Sequence, residues 1–175
     1  QFLQQLVNGL SIGSVYALMA VGYSLVYSIM NFSNFAHGGV IMFGAYFGFF
    51  GLTLLKLPFA AAFALASCGT ALLAVLIERV AYKPLRDRRA PFLYFIISAM
   101  GASILLENIV IATIGPTFRT YPEILAREPI NLWGLSIGRL DLIMFFVSAV
   151  CLTGLILFIE KTRIGKAIQA AAYNM

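Results

Sequence analysis

The first 55 residues, Gln1 to Leu55, contain no Asp, Glu, Lys or Arg. A helix rises about 1.5 Å per residue, so roughly 20 apolar residues cross a hydrocarbon core of about 30 Å. Fifty-five uncharged residues are enough for two crossings, and they leave a water-facing surface nothing to be built from. The rest of the chain follows the same rule: charged residues make up 11% and the mean hydropathy is +0.93. A soluble domain carries roughly 25% charged residues. The expected fold class is therefore all-α, a polytopic helical bundle in lipid.

Five apolar runs stand out, at about Leu3–Met30, Ala36–Leu55, Phe59–Ile77, Phe92–Ile114 and Leu140–Ile159. The breaks between them are polar or proline-bearing. Asn31-Phe-Ser-Asn34 divides the first two runs without a charge, and Lys56-Leu-Pro58 reads as a tight turn. Glu78 to Pro91 reads as a charged loop, and Gly115-Pro116 ends the fourth run. Residues 115–139 read as a mixed polar loop.

Charge sets the orientation. Arg79, Lys83, Arg86, Arg88 and Arg89, with Lys161, Arg163 and Lys166, fall on one side of a five-crossing chain; Lys56, Arg119, Arg127 and Arg139 fall on the other. The richer side is expected to be cytoplasmic, which puts the N-terminus outside. The net charge of +5 comes from this placement and does not form a nucleic-acid patch. Trp133, Tyr121 and Tyr82 read as interfacial aromatics. Asp141 suits a helix N-terminus. Cys68 and Cys151 read as buried, inert thiols.

Two stretches carry polarity into the apolar runs. Asn34, His37 and the pair Gly38-Gly39 lie together, and adjacent glycines permit broken helix geometry. One reading is a short cytoplasmic turn with His37 capping a helix. The other is a discontinuous helix beside a translocation path. Glu107-Asn108 lies inside the fourth run, with Ser103 one turn earlier on the face of Glu107. An intramembrane carboxylate is a functional candidate, unless it reaches water at the outer interface. The repeats Gly9/Gly13/Ala17 and Gly44/Gly48 are spaced for close helix packing.

Beyond Arg163 the pattern changes. Ile164, Ala167, Ile168, Ala171, Ala172 and Met175 form one face of an amphipathic helix. It suits either a membrane surface or a groove on a cytoplasmic partner. Enzyme motifs are missing from the sequence. Gly165-Lys166 has neither the upstream glycine nor the following hydroxyl of a phosphate-binding loop, and there is one His, with no set of metal ligands around it. No catalytic residue and no metal site are assigned.

Several ordered motifs resemble one family. Leu6-Val-Asn-Gly-Leu-Ser-Ile-Gly-Ser-Val-Tyr-Ala-Leu18, Gly22-Tyr-Ser-Leu-Val-Tyr27, Asn34-Phe-Ala-His-Gly38 and Phe43-Gly-Ala-Tyr46 look like the opening of a LivH-type permease. Ile77-Glu-Arg-Val-Ala-Tyr-Lys-Pro-Leu-Arg86, Ile97 to Ile104 and Arg163 to Ala172 are similar to the same family in the same order. The resemblance implies a membrane subunit of an ATP-driven importer of branched-chain or other apolar amino acids, in a bacterial or archaeal cell (inner) membrane. It implies a second related permease subunit, two cytoplasmic ATPase subunits that hold ATP and Mg, and an extracytoplasmic substrate-binding protein. This chain itself would carry no cofactor. Residues 1–175 would be an N-terminal portion, about three fifths, of a single permease domain, with the cytoplasmic coupling region beginning near residue 163.

Asn34, His37, Ser103, Glu107 and Asn108 are the candidate path residues. Arg163, Gly165, Lys166, Ala167 and Ala171 are the candidate ATPase-coupling residues. The sequence departs from the family pattern at Gly39, where an acidic residue is frequent, and at Glu107, where Gln is frequent. Permeases for urea and short-chain amides share the architecture and stand as alternative substrates. An ATP-independent carrier or channel using Glu107 or His37, and an intramembrane enzyme, are the other classes.

Overall fold

The computed structural model describes residues 2–117, 119–122, 130–132, 135–137 and 139–173. It contains α1 (Phe2–Met30), α2 (His37–Thr53), α3 (Phe59–Ile77), α4 (Lys83–Asp87), α5 (Phe92–Ile114), β1 (Ile130–Leu132), β2 (Leu135–Ile137), α6 (Arg139–Lys161) and α7 (Arg163–Tyr173). Among the described residues four helices are long and apolar enough to cross a membrane: Gln4–Met30, Phe59–Asp87, Phe92–Ile114 and Leu142–Lys161. α2 has 17 residues, so it rises only about 26 Å, a little short of the roughly 30 Å hydrocarbon core. The polytopic helical bundle expected from the apolar runs is the fold observed.

Two compact units form, one from Gln1–Asn31 and Leu125–Met175, the other from Phe32–Ile124. In the first, α1 packs along α6, and α7 folds back onto both. The buried positions of α1 and α6 are serines, Ser11 and Ser148, whose small size lets helices approach. Ser11 Oγ donates to Val7 O at 3.1 Å, which removes the cost of an unpaired hydroxyl. Asn31 closes α1 in the left-handed region (φ 56°), its amide donating to Tyr27 O at 2.8 Å. Gly9 and Gly13 meet nothing on their open faces within this unit, so their packing role is not realised among the described residues.

The second unit is built on α2 and α3, which run antiparallel. Gly44 faces Thr70, Gly48 faces Ala66 and Gly51 faces Ala62, so the glycines of one helix meet small residues of the other along the whole contact. Gly69 of α3 in turn receives the Phe47 ring. α5 lies parallel to α2. Pro58 and Pro91 are the N-cap residues of α3 and α5, with φ −62° and −58° and extended ψ.

Several expectations change. The stretch 78–91 is not a loop throughout: α3 runs through a π turn at Glu78–Tyr82 into α4, which ends at Asp87. Pro84 supplies the cause. It has no amide to donate to Val80 O, and its ring displaces that carbonyl. The backbone widens, and the Lys83 amide bonds to Glu78 O five residues back. Tyr82 is buried, at 2% exposure. Cys68 and Cys151 are free as expected but exposed, not buried. Part of the 115–139 loop is an antiparallel pair, with Ile130 opposite Ile137 and Leu132 opposite Leu135. Trp133, Arg127 and Met175, and the side chains of Asp141, Ile164, Ala171 and Ala172, lie outside the described residues.

Candidate functional site: a helix break and the cavity beyond it

The uncharged break resolves into a buried corner. Phe32, 3% exposed, sits edge-on to Tyr82 with centroids 5.2 Å apart and lies 5.2 Å from Phe95. Asn34 Oδ1 accepts two hydrogen bonds, from the Tyr82 hydroxyl at 2.6 Å and from the Ala36 amide at 3.2 Å. Its backbone carbonyl accepts the His37 amide at 3.1 Å, and α2 begins there. Ser98 Oγ donates to Ala81 O, tying α5 to the π turn. The π turn therefore rotates Tyr82 inward, and Tyr82 holds the residue that starts α2.

The register against α5 gives the depth of this break. Phe32 packs at Phe95, whereas Gly39 packs at Leu106. Those α5 positions are separated by about 16 Å along the helix axis, roughly half a hydrocarbon core. α2 thus starts about halfway along α5, and in the non-helical stretch before it Phe32 and Ala36 are buried while Phe35 is exposed. His37 opens α2 and is half-buried.

Gly39 packs closely on the Leu106 side chain, which a larger residue would have to displace. A Cβ there would lie 2.9 Å from Leu106 Cδ1 and 3.2 Å from its Cβ. Of the two departures from the family pattern, position 39 thus packs on Leu106, the residue before position 107.

Past this contact α2 and α5 diverge around a cavity of about 420 Å³. α2 contributes Met42, Ala45, Tyr46 and Phe49; α5 contributes Glu107, Val110 and Ile111; Gly115, Pro116, Thr117 and Arg119 close the end. Ser103 Oγ donates to Glu107 Oε1 at 3.2 Å, so the expected pairing of these two on one face is realised. Asn108 turns elsewhere, its Nδ2 donating to Ile104 O at 2.7 Å, and it does not line the cavity. Glu107 lies seven residues before the end of α5, about 10 Å below it. Tyr121 folds back over α2, donating to Ala45 O at 2.5 Å and standing edge-on to Phe49. Burial pushes its phenol above the ordinary value of 10.0, an effect the Phe49 backbone partly offsets.

The structure does not bring all five candidate path residues together. Asn34 belongs to the Tyr82 corner, His37 to the start of α2, and Ser103 and Glu107 to the cavity. Tyr82 and Arg119 were not among the sequence candidates. Tyr82 looked like an interfacial aromatic, and its partner is 48 residues away. Arg119 looked like an ordinary loop charge.

At the other end of the chain, Thr162 caps α7. Its Oγ1 accepts the Gly165 amide at 2.9 Å and donates to Phe158 O at 2.6 Å. Gly165 is buried, while Arg163, Lys166 and Ala167 are exposed. The side chain of Ala171 lies outside the described residues.

Comparison with known proteins places this architecture. The profile described as "Branched-chain amino acid transport system / permease component" matches residues 5–175. The high-affinity branched-chain amino acid transport system permease protein BraD of Pseudomonas aeruginosa is 39% identical, covering 99% of this chain and 60% of that protein. The permease protein LivH of the corresponding system in Escherichia coli K12 is 35% identical with the same coverage. A probable branched-chain amino acid transport permease protein LivH of Methanocaldococcus jannaschii is 30% identical over 92% of this chain. The chain spans about three fifths of the length of the first two relatives. No solved structure matches it. The spanning helices and these relatives make it a multi-pass integral protein of the inner membrane. By its profile match across nearly its whole length, the chain belongs to the branched-chain amino acid transport permease-component family.

Proposed function

We propose that this chain is the N-terminal portion of the transmembrane permease subunit of an ATP-driven importer for branched-chain or other apolar amino acids. The observation that carries the reading is the profile match over residues 5–175, joined to relatives named as high-affinity branched-chain amino acid transport permeases. Those names favour neither urea nor short-chain amides as substrate, and they favour neither an ATP-independent carrier nor a channel.

Two cytoplasmic ATPase subunits with ATP and Mg, a second related permease and an extracytoplasmic binding protein complete the machine in this reading. Membrane lipid is the remaining partner. The mechanism is alternating access. Closure of the ATPases moves α7, whose exposed Arg163, Lys166 and Ala167, together with Ala171, form the docking side. Gly165 and Thr162 make the joint to α6 stiff, so motion of α7 is passed to α6. The break before α2 gives the path a place where backbone carbonyls and His37 meet the substrate at mid-depth, as discontinuous helices do in other transporters. Of the other candidates, Glu107, held by Ser103, lies farther along the same route, whereas Asn34 and Asn108 are turned to Tyr82 and Ile104.

Reconstitution tests this directly. The full-length permease, its partner permease, ATPases and binding protein are placed in liposomes with ATP on the ATPase side. Uptake of labelled leucine, isoleucine or valine is expected to require ATP and the binding protein. Uptake driven by a proton gradient without ATP overturns the reading.

A further inference from the structure

Resting on the importer reading, we infer that the cavity between α2 and α5 is a binding site for a free zwitterionic amino acid, with Arg119 holding its carboxylate and Glu107 its ammonium group. Both side chains line the same cavity, and among the described residues no ion pair joins them or engages either with another charge. Two opposite charges that share a cavity without pairing are satisfied together by one ligand that carries both. A guanidinium matches a carboxylate in a two-pronged geometry, and a carboxylate accepts from an ammonium. Ser103 fixes the Glu107 carboxylate by donating to Oε1, which leaves the remaining lone pairs for the ligand.

The wall between the charges is apolar. Met42, Phe49, Val110 and Ile111 offer an aliphatic and aromatic surface to a branched side chain, and Met adapts to its shape. A volume of about 420 Å³ suits one small ligand. Placement agrees with import. The cavity lies toward the Gly115–Arg119 end of α5, opposite the basic 78–91 stretch, which is the end where substrate arrives if that stretch is cytoplasmic. An amine without a carboxylate, or an acid without an amine, meets only one of the two charges and binds more weakly.

Photo-crosslinking reads the site without relying on the selectivity of the binding protein. The full-length complex, without ATP, is irradiated with photo-leucine, and the labelled peptides are mapped by mass spectrometry. Label is expected within residues 42–49 and 107–119. It should be chased by leucine, and not by isoamylamine or 4-methylpentanoate. Arg119→Gln and Glu107→Gln should each lower labelling by about tenfold or more, the effect of losing one charged partner. Arg119→Lys and Glu107→Asp should restore part of it. Wild-type uptake of leucine in the same preparation separates the two failures. If the wild type imports leucine but labels elsewhere or not at all, labels equally in Arg119→Gln, or is chased by either half-ligand, the site assignment is wrong and the importer reading stands. If the wild type imports no branched-chain amino acid, the importer reading falls and the site falls with it.

Discussion

Gly165→Ala should loosen the joint between α6 and α7. A Cβ at position 165 would sit 2.5 Å from Phe158 O and Ile159 Cα, and closer still to Ile159 O. These are backbone atoms, so no side-chain rotation relieves the collision. Alanine in a helix is favoured over glycine by about 1 kcal/mol. Against that, overpacking costs about 1–3 kcal/mol or more. Displacing the Gly165 amide from Thr162 Oγ1 removes an N-cap, which is about another 1 kcal/mol. The clash wins, and the docked α7 loses about 1–3 kcal/mol. Hydrogen exchange on the assembled complex is the assay. A loss of 1–2 kcal/mol corresponds to about a 5–30-fold fall in protection of the α7 amides. Gly154→Ala is the control, because a Cβ there meets nothing within 4 Å. Unchanged α7 protection in Gly165→Ala, or an equal change in Gly154→Ala, would refute the reasoning.

Three further outcomes follow from the second unit. Tyr82→Phe and Asn34→Ala should each cost about 1–2 kcal/mol in unfolding, and the double variant should fall short of the sum by about 0.5–1.5 kcal/mol; strict additivity contradicts the Asn34–Tyr82 bond. Gly51→Leu should cost about 1–3 kcal/mol by forcing α2 off Ala62, whose Cα lies 3.3 Å from a Cβ at position 51. Gly101→Leu faces open space among the described residues and should melt as wild type does. Tyr121 is held neutral, so its contribution is present below the unfolded phenol value and is lost as pH rises through its folded value, above 10.0. The difference in phenolate absorbance between wild type and Tyr121→Phe should appear above 10.0, and a step at or below that value contradicts the burial of the ring edge.

The helices were legible because lipid imposes one solution on an uncharged run. The stretches 59–77 and 92–114 are helices with those limits, and 36–55 narrows only to His37–Thr53. The small-residue spacing of Gly44 and Gly48 likewise announced a close helix contact. What stayed hidden is non-local. Charges at 79–89 read as a loop, because a helix that leaves the membrane into the headgroups has the composition of a loop. Nothing near Tyr82 in sequence says that Pro84 turns it toward Asn34. The cavity depends on where two parallel helices part, and Arg119 enters it only because the Gly115–Pro116 end folds back over α2. Local pattern records which residues are helical; the partners of Asn34, Glu107 and Gly165 are set by packing.

The central claim is tested most directly by purifying the full-length tagged protein in mild detergent and identifying by mass spectrometry what comes with it. The account predicts an ABC-type ATPase and a second, related permease in the eluate. A folded protein that elutes alone, with neither, contradicts it.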